Sequence, residues 1–255
     1  QVTSLETAHQ SPVTALCSVP SAEGGKARGF LSGSKDMTAR LWRMAGSGSN
    51  TSLEAVSVLH GHANSVSAVH ATDSVAYTGD WDGHVCMWDV GGLAADADLG
   101  GSQKGTKRRK KDGGGSEAAA VPQQMLTAGF RGHAQAVTGL AGPTAGGGGG
   151  LGAATLYSAS LDRAVKTWDA ERQDCVHTLN APKAVTCLGC SSSGRMLATG
   201  HPDARVRIWD TRTQGETLTR ASLSSHKQWI TDVAWAPGSE TMVRGSRFGG
   251  KWVFW

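Results

Sequence analysis

Residues that could carry out hydrolytic chemistry occur together in this chain: a histidine, a hydroxyl residue and an aspartate, followed by a tryptophan. A hydroxyl activated by a histidine, which an aspartate orients, is the arrangement of serine hydrolases. One such set is His62, Thr78, Asp82 and Trp88. The set recurs as His133, Ser158, Asp162 and Trp168, and in part as His9, Ser32, Asp36 and Trp42.

The recurrence of these sets favours a structural role. A catalytic centre needs one set, tuned in one cleft, whereas buried side chains that satisfy one another in each unit recur with the units. We therefore interpret the eight residues of the two complete sets as a structural hydrogen-bond network. No catalytic residue and no enzymatic activity is predicted.

Short strands and tight turns are the elements predicted to position these residues. Each repeated segment passes from small or hydroxyl residues through an Asp to alternating residues that close on Trp. Alternation with a period of two is typical of a strand with one buried face, and Asp between two such runs favours a hairpin turn. The segments are 30–43, 76–89, 156–169 and 197–210.

A short apolar strand precedes each hairpin, and a further strand fits after each closing Trp, for example at 175–179 or 218–223. The preceding strands are predicted at 13–17, 66–69, 137–140, 185–188 and 230–235. Four strands per unit are typical of a propeller blade. We predict blades at about 8–59, 61–131, 132–179, 180–224 and 225–255.

The spacing of the closing tryptophans tests this division. Trp42 and Trp88 are 46 residues apart, Trp168 and Trp209 are 41 apart, and Trp209 and Trp255 are 46 apart. These intervals are close to the roughly 40 to 45 residues of WD repeats. Trp88 and Trp168 are 80 residues apart, so we predict an insertion at about 91–122, between the third and fourth strands of the second blade.

The insertion carries the stretch GSQKGTKRRKKDGGGSE at 101–117, which contains Lys104, Lys107, Arg108, Arg109, Lys110 and Lys111. Without these six cations the formal net charge of +4 would be −2, so the basicity is local. Gly and Ser around a charge run predict a disordered loop. The five consecutive cations from Lys107 to Lys111 indicate either a nuclear localisation signal or a solvated loop.

The order of GH, hydroxyl, Asp and closing WD resembles the WD-repeat β-propeller family over essentially the whole chain. The resemblance implies an all-β fold, with five visible blades in an incomplete ring. The fifth blade is expected to be truncated or degenerate, because GSRFGGKWVFW lacks the hairpin Asp and Arg244 stands where the other blades have Ser or Thr. We expect the chain, which has no initiating Met, to be a fragment.

A narrower resemblance comes from the order of unusual features. GHANSVSAVH is followed by the basic insertion, by GHAQAVTGL, by a blade with residues 180–185 in place of GH, and by the segment 222–239. This order is similar to the second to sixth repeats of the WD-repeat subunits of PeBoW-type complexes.

This resemblance implies a non-catalytic scaffold in large ribosomal subunit biogenesis and precursor rRNA processing, without a cofactor, in the nucleolus and nucleoplasm. The implied partners are Bop-type and Pescadillo-type proteins on the precursor particle. The family's N-terminal ubiquitin-like domain, which engages an AAA-type ATPase, is expected to lie outside these 255 residues. A generic WD-repeat adaptor of a ubiquitin ligase or of chromatin is the alternative, and RNA contact is expected to be indirect.

The sequence gives little support for a disulfide framework, a metal site or a membrane span. The five cysteines are odd in number and scattered, which favours a reducing compartment. Cys187 and Cys190 form a CxxC without the second ligand pair that a zinc site needs, so we predict buried strand residues there and no metal. No window approaches 18 consecutive apolar residues, and Gln1 begins no signal-like stretch, so no membrane span and no secretion are predicted.

Three residues near the predicted blade edges are candidates for surface contacts: Trp81, Arg131 and Trp229. An aromatic residue near a hairpin more often packs against its own blade than against a partner. The sequence alone therefore assigns none of them to a binding site.

Overall fold

Four complete strand hairpins and their flanking strands form the body of the molecule. A computed structural model of the chain describes residues 9–20, 27, 29–45, 52–91, 123–124, 126–143, 155–213, 222–223, 227–236, 242–246 and 253–254. These residues form twenty strands in five sheets, and a 3-10 turn at Thr211–Thr213 follows one of them.

Each sheet is built on an antiparallel meander, and only the short strand β8 departs from this order among the described residues. The first sheet contains β1 (Val13–Val19), β2 (Gly29–Ser34), β3 (Thr38–Ala45) and β4 (Ser52–His60). The second contains β5 (Val66–Ala71), β6 (Val75–Asp80), β7 (His84–Asp89) and, after the short β8 (Gln123–Gln124), β9 (Ala128–Arg131). The third contains β10 (Val137–Ala141), β11 (Thr155–Ser160), β12 (Ala164–Asp169) and β13 (Asp174–Asn180).

The fourth sheet contains β14 (Cys187–Cys190), β15 (Met196–Gly200), β16 (Val206–Asp210) and β17 (Ser222–Leu223). The fifth contains β18 (Ile230–Trp235), β19 (Met242–Ser246) and β20 (Val253–Phe254). In the fifth sheet Val233 pairs with Arg244, as Leu16 pairs with Ser32 and Leu140 with Ser158. Arg244 therefore occupies the hydroxyl position of the repeat.

β8 is a strand that the sequence did not predict. It pairs in parallel with β4, through Val58 with Gln123 and Leu59 with Gln124, and so becomes a fifth strand of the first sheet. The chain then enters β9, the fourth strand of the second sheet. Most of the predicted insertion, residues 92–122, lies outside the described residues.

The hairpins between second and third strands share one backbone geometry. The residue after the hairpin Asp has a positive φ in the first four sheets: Met37 at 66°, Gly83 at 85°, Arg163 at 73° and Ala204 at 61°. This region is costly for side chains other than glycine. In the first, third and fourth sheets the Asp carboxylate stabilises the turn, since it accepts a hydrogen bond from the backbone N–H two residues later, for example from Thr38 to Asp36 at 3.0 Å.

Neighbouring sheets are joined at their innermost strands by hydroxyl groups. The Oγ1 of Thr138 donates to the carbonyl oxygen of Val185 at 2.8 Å, which links the third sheet to the start of the fourth. The same tie joins the other sheets, through Thr14 to Val66, Ser67 to Val137 and Thr186 to Ile230. Because each tie joins the beginnings of two successive innermost strands, these strands run side by side in one direction and all the hairpins lie at one end of the sheets.

The core lies between the sheets. The second strands β6 and β11 are buried on both faces except at their first residue, although a period of two predicts one exposed face, because a sheet packs against each side. Gly79 allows the close approach, since a Cβ there would lie 2.6 Å from Cγ1 of Val137.

The first sheet leaves one apolar face uncovered. Leu16 of β1 is 65% exposed, whereas Val69, Leu140, Leu188 and Val233 at the equivalent position are buried. No sheet of the described residues packs on that face of β1. Val13 at the start of the strand is exposed as well.

Candidate functional site

The third sheet brings together all four residues of its predicted set. His133 lies in the loop before β10, Ser158 on β11, Asp162 in the hairpin and Trp168 on β12. The Nδ1 of His133 is 3.0 Å from Oδ2 of Asp162, and its Nε2 is 2.7 Å from Oγ of Ser158. The indole N–H of Trp168 donates to the same Oγ at 2.7 Å. The four side chains thus form one continuous chain of hydrogen bonds.

The first sheet contains the same network. The Nδ1 of His9 is 2.9 Å from Oδ2 of Asp36, its Nε2 is 2.7 Å from Oγ of Ser32, and the indole N–H of Trp42 donates to that Oγ at 2.7 Å. The hydroxyl of Thr38 also donates to Oδ1 of Asp36 at 2.6 Å. The carboxylate of Asp36 therefore holds both the histidine and the turn, as that of Asp162 does in the third sheet.

In the second sheet the prediction of Asp82 is wrong. The Nδ1 of His62 lies 2.8 Å from Oδ2 of Asp80, and its Nε2 lies 2.6 Å from the hydroxyl of Thr78, which also accepts from Trp88 at 2.8 Å. Asp82 is exposed and accepts instead from the side-chain amide of Asn64 at 2.9 Å.

The reason lies in the position of Asp80 at the end of β6, where the first and third repeats have Ser34 and Ser160. Those serines accept a hydrogen bond from the backbone N–H of the hairpin Asp. The Oδ1 of Asp80 accepts this bond, from Asp82, and also the bond from the backbone N–H of His84 that closes the turn, both at 2.9 Å. One carboxylate thus takes over the contacts of two residues.

The fourth sheet lacks GH, and its network histidine is His201. This residue follows the second strand, β15, at the position that Asp80 occupies in the second sheet. The Nε2 of His201 is 2.8 Å from the hydroxyl of Thr199, and the indole N–H of Trp209 donates to that hydroxyl at 2.8 Å. The Nδ1 of His201 lies 2.9 Å from the carbonyl oxygen of Ala184 in place of a carboxylate. His201 is a network residue that the sequence analysis missed.

The hairpin carboxylate of the fourth sheet does not bind the histidine and forms an ion pair instead. Asp203 accepts from both terminal nitrogens of Arg207, at 2.6 and 3.2 Å. Arg207 is buried on β16, where the alternation of the sequence predicts an exposed side chain. A bidentate pair of this kind satisfies a guanidinium that would otherwise be unpaired in the interior.

The geometry of hydroxyl, imidazole and carboxylate matches that of a hydrolase triad, but its surroundings do not. Thr78, Ser158 and Thr199 are fully buried, so a substrate carbonyl has no approach to the hydroxyl oxygen. That oxygen already accepts from a tryptophan N–H, which reduces its nucleophilicity. The structure supports a role for these groups in satisfying buried polar atoms of each sheet.

The protonation states agree with this role. Burial lowers the pKa of His133 despite the neighbouring Asp162, and burial lowers the pKa of His9 despite Asp36. Burial opposes ionisation of Asp36, but hydrogen bonds from Thr38 and His9 outweigh it and hold its pKa at about 2. A neutral histidine therefore donates from Nδ1 to an ionised carboxylate and accepts from the hydroxyl at Nε2.

Comparison with protein families identifies these units. The family model described as WD domain, G-beta repeat, matches residues 1–43, 53–89 and 173–210. The chain contains WD repeats. The matched segments cover the hairpins of the first, second and fourth sheets. The third sheet, whose hairpin lies outside the matched segments, carries a complete WD-repeat network of its own.

Several curated relatives of this WD-repeat protein carry the same printed name. It is 29% identical over 251 residues to the ribosome biogenesis protein WDR12 homologue of Oryza sativa subsp. japonica, a match that covers 97% of this chain and 55% of the relative. It is 30% identical over 215 residues to the homologue of Ixodes scapularis, covering 83% and 47% respectively. The chain spans about half the length of the curated relatives it matches.

Other predicted sites of the WD-repeat chain have separate outcomes. The basic residues Lys107, Arg108, Arg109, Lys110 and Lys111 lie outside the described residues. Cys187 and Cys190 both lie on β14, and burial raises the pKa of Cys187 to about 12, which suits an inert buried thiol. In the described part of the chain no three His, Cys, Asp or Glu residues converge as metal ligands, and no helix could span a membrane.

Proposed function

We propose that this WD-repeat chain is a non-catalytic scaffold in the biogenesis of the large ribosomal subunit and in precursor rRNA processing. The observation that carries the proposal is the similarity to ribosome biogenesis proteins along 83% to 97% of the chain. Similarity over this length to proteins that share one role argues for more than a shared fold.

The structure supports a scaffold rather than an enzyme through the character of its polar groups. In each of the first three sheets the buried hydroxyl, histidine and carboxylate bond to one another, as do Ser158, His133 and Asp162 in the third. What remains for contact with other molecules is the exposed surface of a rigid set of packed sheets. Such a surface suits docking of macromolecules.

The partners that we propose are Bop-type and Pescadillo-type proteins on a precursor of the large subunit, bound through the propeller surface. The proposed location is the nucleolus and nucleoplasm, with Lys107 to Lys111 as the import signal. Engagement of an AAA-type ATPase through an N-terminal ubiquitin-like domain belongs to this proposal and involves none of the described residues. RNA contact, in this proposal, is indirect.

Affinity purification of the full-length protein from cells tests the proposal. We expect recovery of Bop-like and Pescadillo-like proteins together with precursors of the large-subunit rRNA, and delayed rRNA processing when the protein is depleted. The control is the same purification from cells that express the affinity tag alone. Recovery of a cullin adaptor set or of chromatin subunits, without ribosomal precursors, would show the alternative, a generic WD-repeat adaptor.

A further inference from the structure

The outer edge of the third sheet is open along a whole strand. β13 (Asp174–Asn180) has seven residues and carries no further strand on its outward side among the described residues. The other outermost strands of the described sheets are shorter, with four residues in β9 and two each in β8, β17 and β20. An open edge presents a row of backbone N–H and C=O groups, which can bind an extended chain through main-chain hydrogen bonds.

The first sheet shows how such an edge is filled. There β4 pairs with β8 in the parallel direction, through Val58 and Leu59. These two residues come shortly after a bulge at Val56, which has no partner on β3. β13 has the same bulge at Val176, and residues 178–179 follow it at the positions that pair with β8 in the first sheet. A bulge hinders pairing at its own position, but it leaves the next residues open to a parallel strand.

An apolar side chain is exposed at the bulge of β13. Val176 is 64% exposed. Val56, at the equivalent position of the first sheet, is partly buried and packs against the apolar cluster of that sheet. A strand paired with β13 would bring its own side chains beside Val176. The edge therefore favours a segment with a β-branched or other apolar residue at that point.

The beginning of β13 is negatively charged. The turn that leads into the strand carries three carboxylates, those of Asp169, Glu171 and Asp174, and one guanidinium, that of Arg172. Arg172 is paired with Asp169 at 3.7 Å, so the charges of Glu171 and Asp174 give this end its sign. A segment that begins with Lys or Arg is attracted here.

The end of β13 is positively charged. Arg163 lies beside it, because its carbonyl oxygen accepts from the backbone N–H of Ala181 at 2.7 Å, and Lys183 follows two residues later. Both cations are exposed. The neighbouring carboxylate, Asp162, is directed inward, where it binds His133 and is 13% exposed. Acidic residues of a bound segment are therefore favoured at this end.

From these observations we propose that the outer edge of the third sheet binds an extended segment of another protein in the parallel direction, as β4 binds β8. The segment has basic residues first, then a β-branched or other apolar residue beside Val176, then acidic residues. The inference rests on the proposed scaffold function and extends it, because it names a binding surface away from the hairpins and the kind of segment that this surface takes.

A second copy of the chain fits the edge less well. Two folded copies would meet along a single pair of seven-residue strands, about 24 Å long. Contact of that extent buries much less than the roughly 1,200–2,000 Å² of a stable interface. An extended segment has the advantage that both faces of its strand remain free to contact side chains of the sheet.

Selection from a phage-displayed library of random dodecapeptides on the purified full-length protein tests the inference. We expect enrichment of peptides in which Lys or Arg precedes, and Asp or Glu follows, a run of Val, Ile, Thr or Tyr. A synthetic peptide of the selected sequence should slow hydrogen exchange of the β13 amides. The same residues in reversed order should bind about fivefold more weakly, because their charges then fit only the antiparallel direction.

Variants of the strand locate the binding. Val176→Lys should weaken binding of the selected peptide about tenfold, because it removes the apolar contact. Leu53→Lys makes the same change at an exposed apolar position of β4 and should change the affinity less than about twofold. Asp174→Lys/Lys183→Glu exchanges the charges of the two ends, so it should bind the reversed peptide more tightly than the selected one.

Melting curves of the variants verify that the fold persists. Slower exchange at the hairpins or at β9 instead of β13, equal binding by Val176→Lys, or selected peptides without this order of charges overturns the inference. A dimer that Val176→Lys abolishes, without peptide binding, overturns it in favour of a second copy. The selection needs no ribosomal precursor, so it can fail while the association with precursors persists, and peptide binding can persist while that association fails.

Discussion

The Nδ1 of His62 lies 2.8 Å from Oδ2 of Asp80, two residues before the carboxylate to which the repeat pattern assigns this bond. Asp80 is fully buried and accepts three hydrogen bonds, whereas Asp82 is exposed and accepts one. Burial raises the pKa of Asp80, but the bonds from His62 and His84 outweigh it and keep the pKa below its ordinary value.

Replacement of Asp80 should therefore be far more damaging than replacement of Asp82. Asp80→Ala leaves His62 and two backbone N–H groups without an acceptor, which should cost about 3 kcal/mol or more of unfolding free energy. Asp82→Ala removes one exposed bond and should cost about 0.5 kcal/mol. Urea unfolding of the two variants measures the difference, and equal losses would contradict the assignment of Asp80.

The ion pair of the fourth sheet gives a second prediction. Asp203→Leu leaves the buried guanidinium of Arg207 without its carboxylate, which should cost about 1–3 kcal/mol, since Asp203 itself is partly exposed. Replacing both, in Asp203→Leu/Arg207→Met, should recover most of that loss, because no charge remains unpaired. A double-mutant cycle by chemical unfolding measures the coupling, and additive losses would show that the pair contributes nothing.

The sequence predicted the third-sheet network completely, because the hairpin there has the common length and a single Asp. The prediction was wrong in the second sheet because Asp80 and Asp82 flank Trp81 in one hairpin. Spacing alone does not show which of the two carboxylates binds the histidine. A signal was present: position 80 is the counterpart of Ser34 and Ser160, so Asp there is unusual. His201 occupies the same counterpart position, at the end of the second strand, whereas the repeat pattern places the network histidine before the first strand.

Other features of the fold are tertiary and have no local signal. β8 contains two residues, Gln123 and Gln124, and is a strand only because β4 offers an unpaired edge. Likewise, Arg207 alternates with Val206 and Ile208 as a solvent-facing residue would, yet it is buried because neighbouring sheets cover both faces of β16. The order of residues along the chain predicts the repeated strands, whereas the packing of neighbouring sheets determines which polar side chains are buried.

Acidification should destabilise the protein in two steps. Burial lowers the pKa of His9, His133 and His201 below the ordinary 6.5. Below about pH 6.5 the unfolded chain therefore binds more protons than the folded chain does. The free energy of unfolding decreases as the pH falls through this range. The depressed pKa values of Asp36, Asp80 and Asp162 add stability that is present above the ordinary 3.8 and is lost as the pH falls through their lower folded values.

Melting temperatures between pH 8 and pH 5 measure the histidine step. We expect a continuous decrease below about pH 6.5, since each neutral buried imidazole adds to the proton uptake on unfolding. The variant His133→Asn should be less stable at pH 8, because Asp162 and Ser158 lose a partner, but less sensitive to pH. A melting temperature that stays constant down to pH 5 would show that these histidines are not held neutral.

The basic run allows the last prediction, which concerns location and not folding. Replacing Lys107, Arg108, Arg109, Lys110 and Lys111 with Ala should lower the nuclear-to-cytoplasmic ratio of the chain, because an import receptor reads a cluster of cations. The chain is small, at 26.4 kDa, so it should be fused to a reporter large enough to prevent passive diffusion. Microscopy of the fusion gives the ratio.

Two companion variants separate recognition of charge from other effects. Changing only Lys107, Lys110 and Lys111 to Arg keeps the charge and should leave import unchanged, whereas residues 101–117 transferred to the reporter alone should be sufficient for import. The Ala variant should keep the melting temperature of the parent chain, because none of the described network, core or tie residues is altered. Unchanged nuclear accumulation of the Ala variant would assign the run to a solvated loop, and import would then depend on a partner.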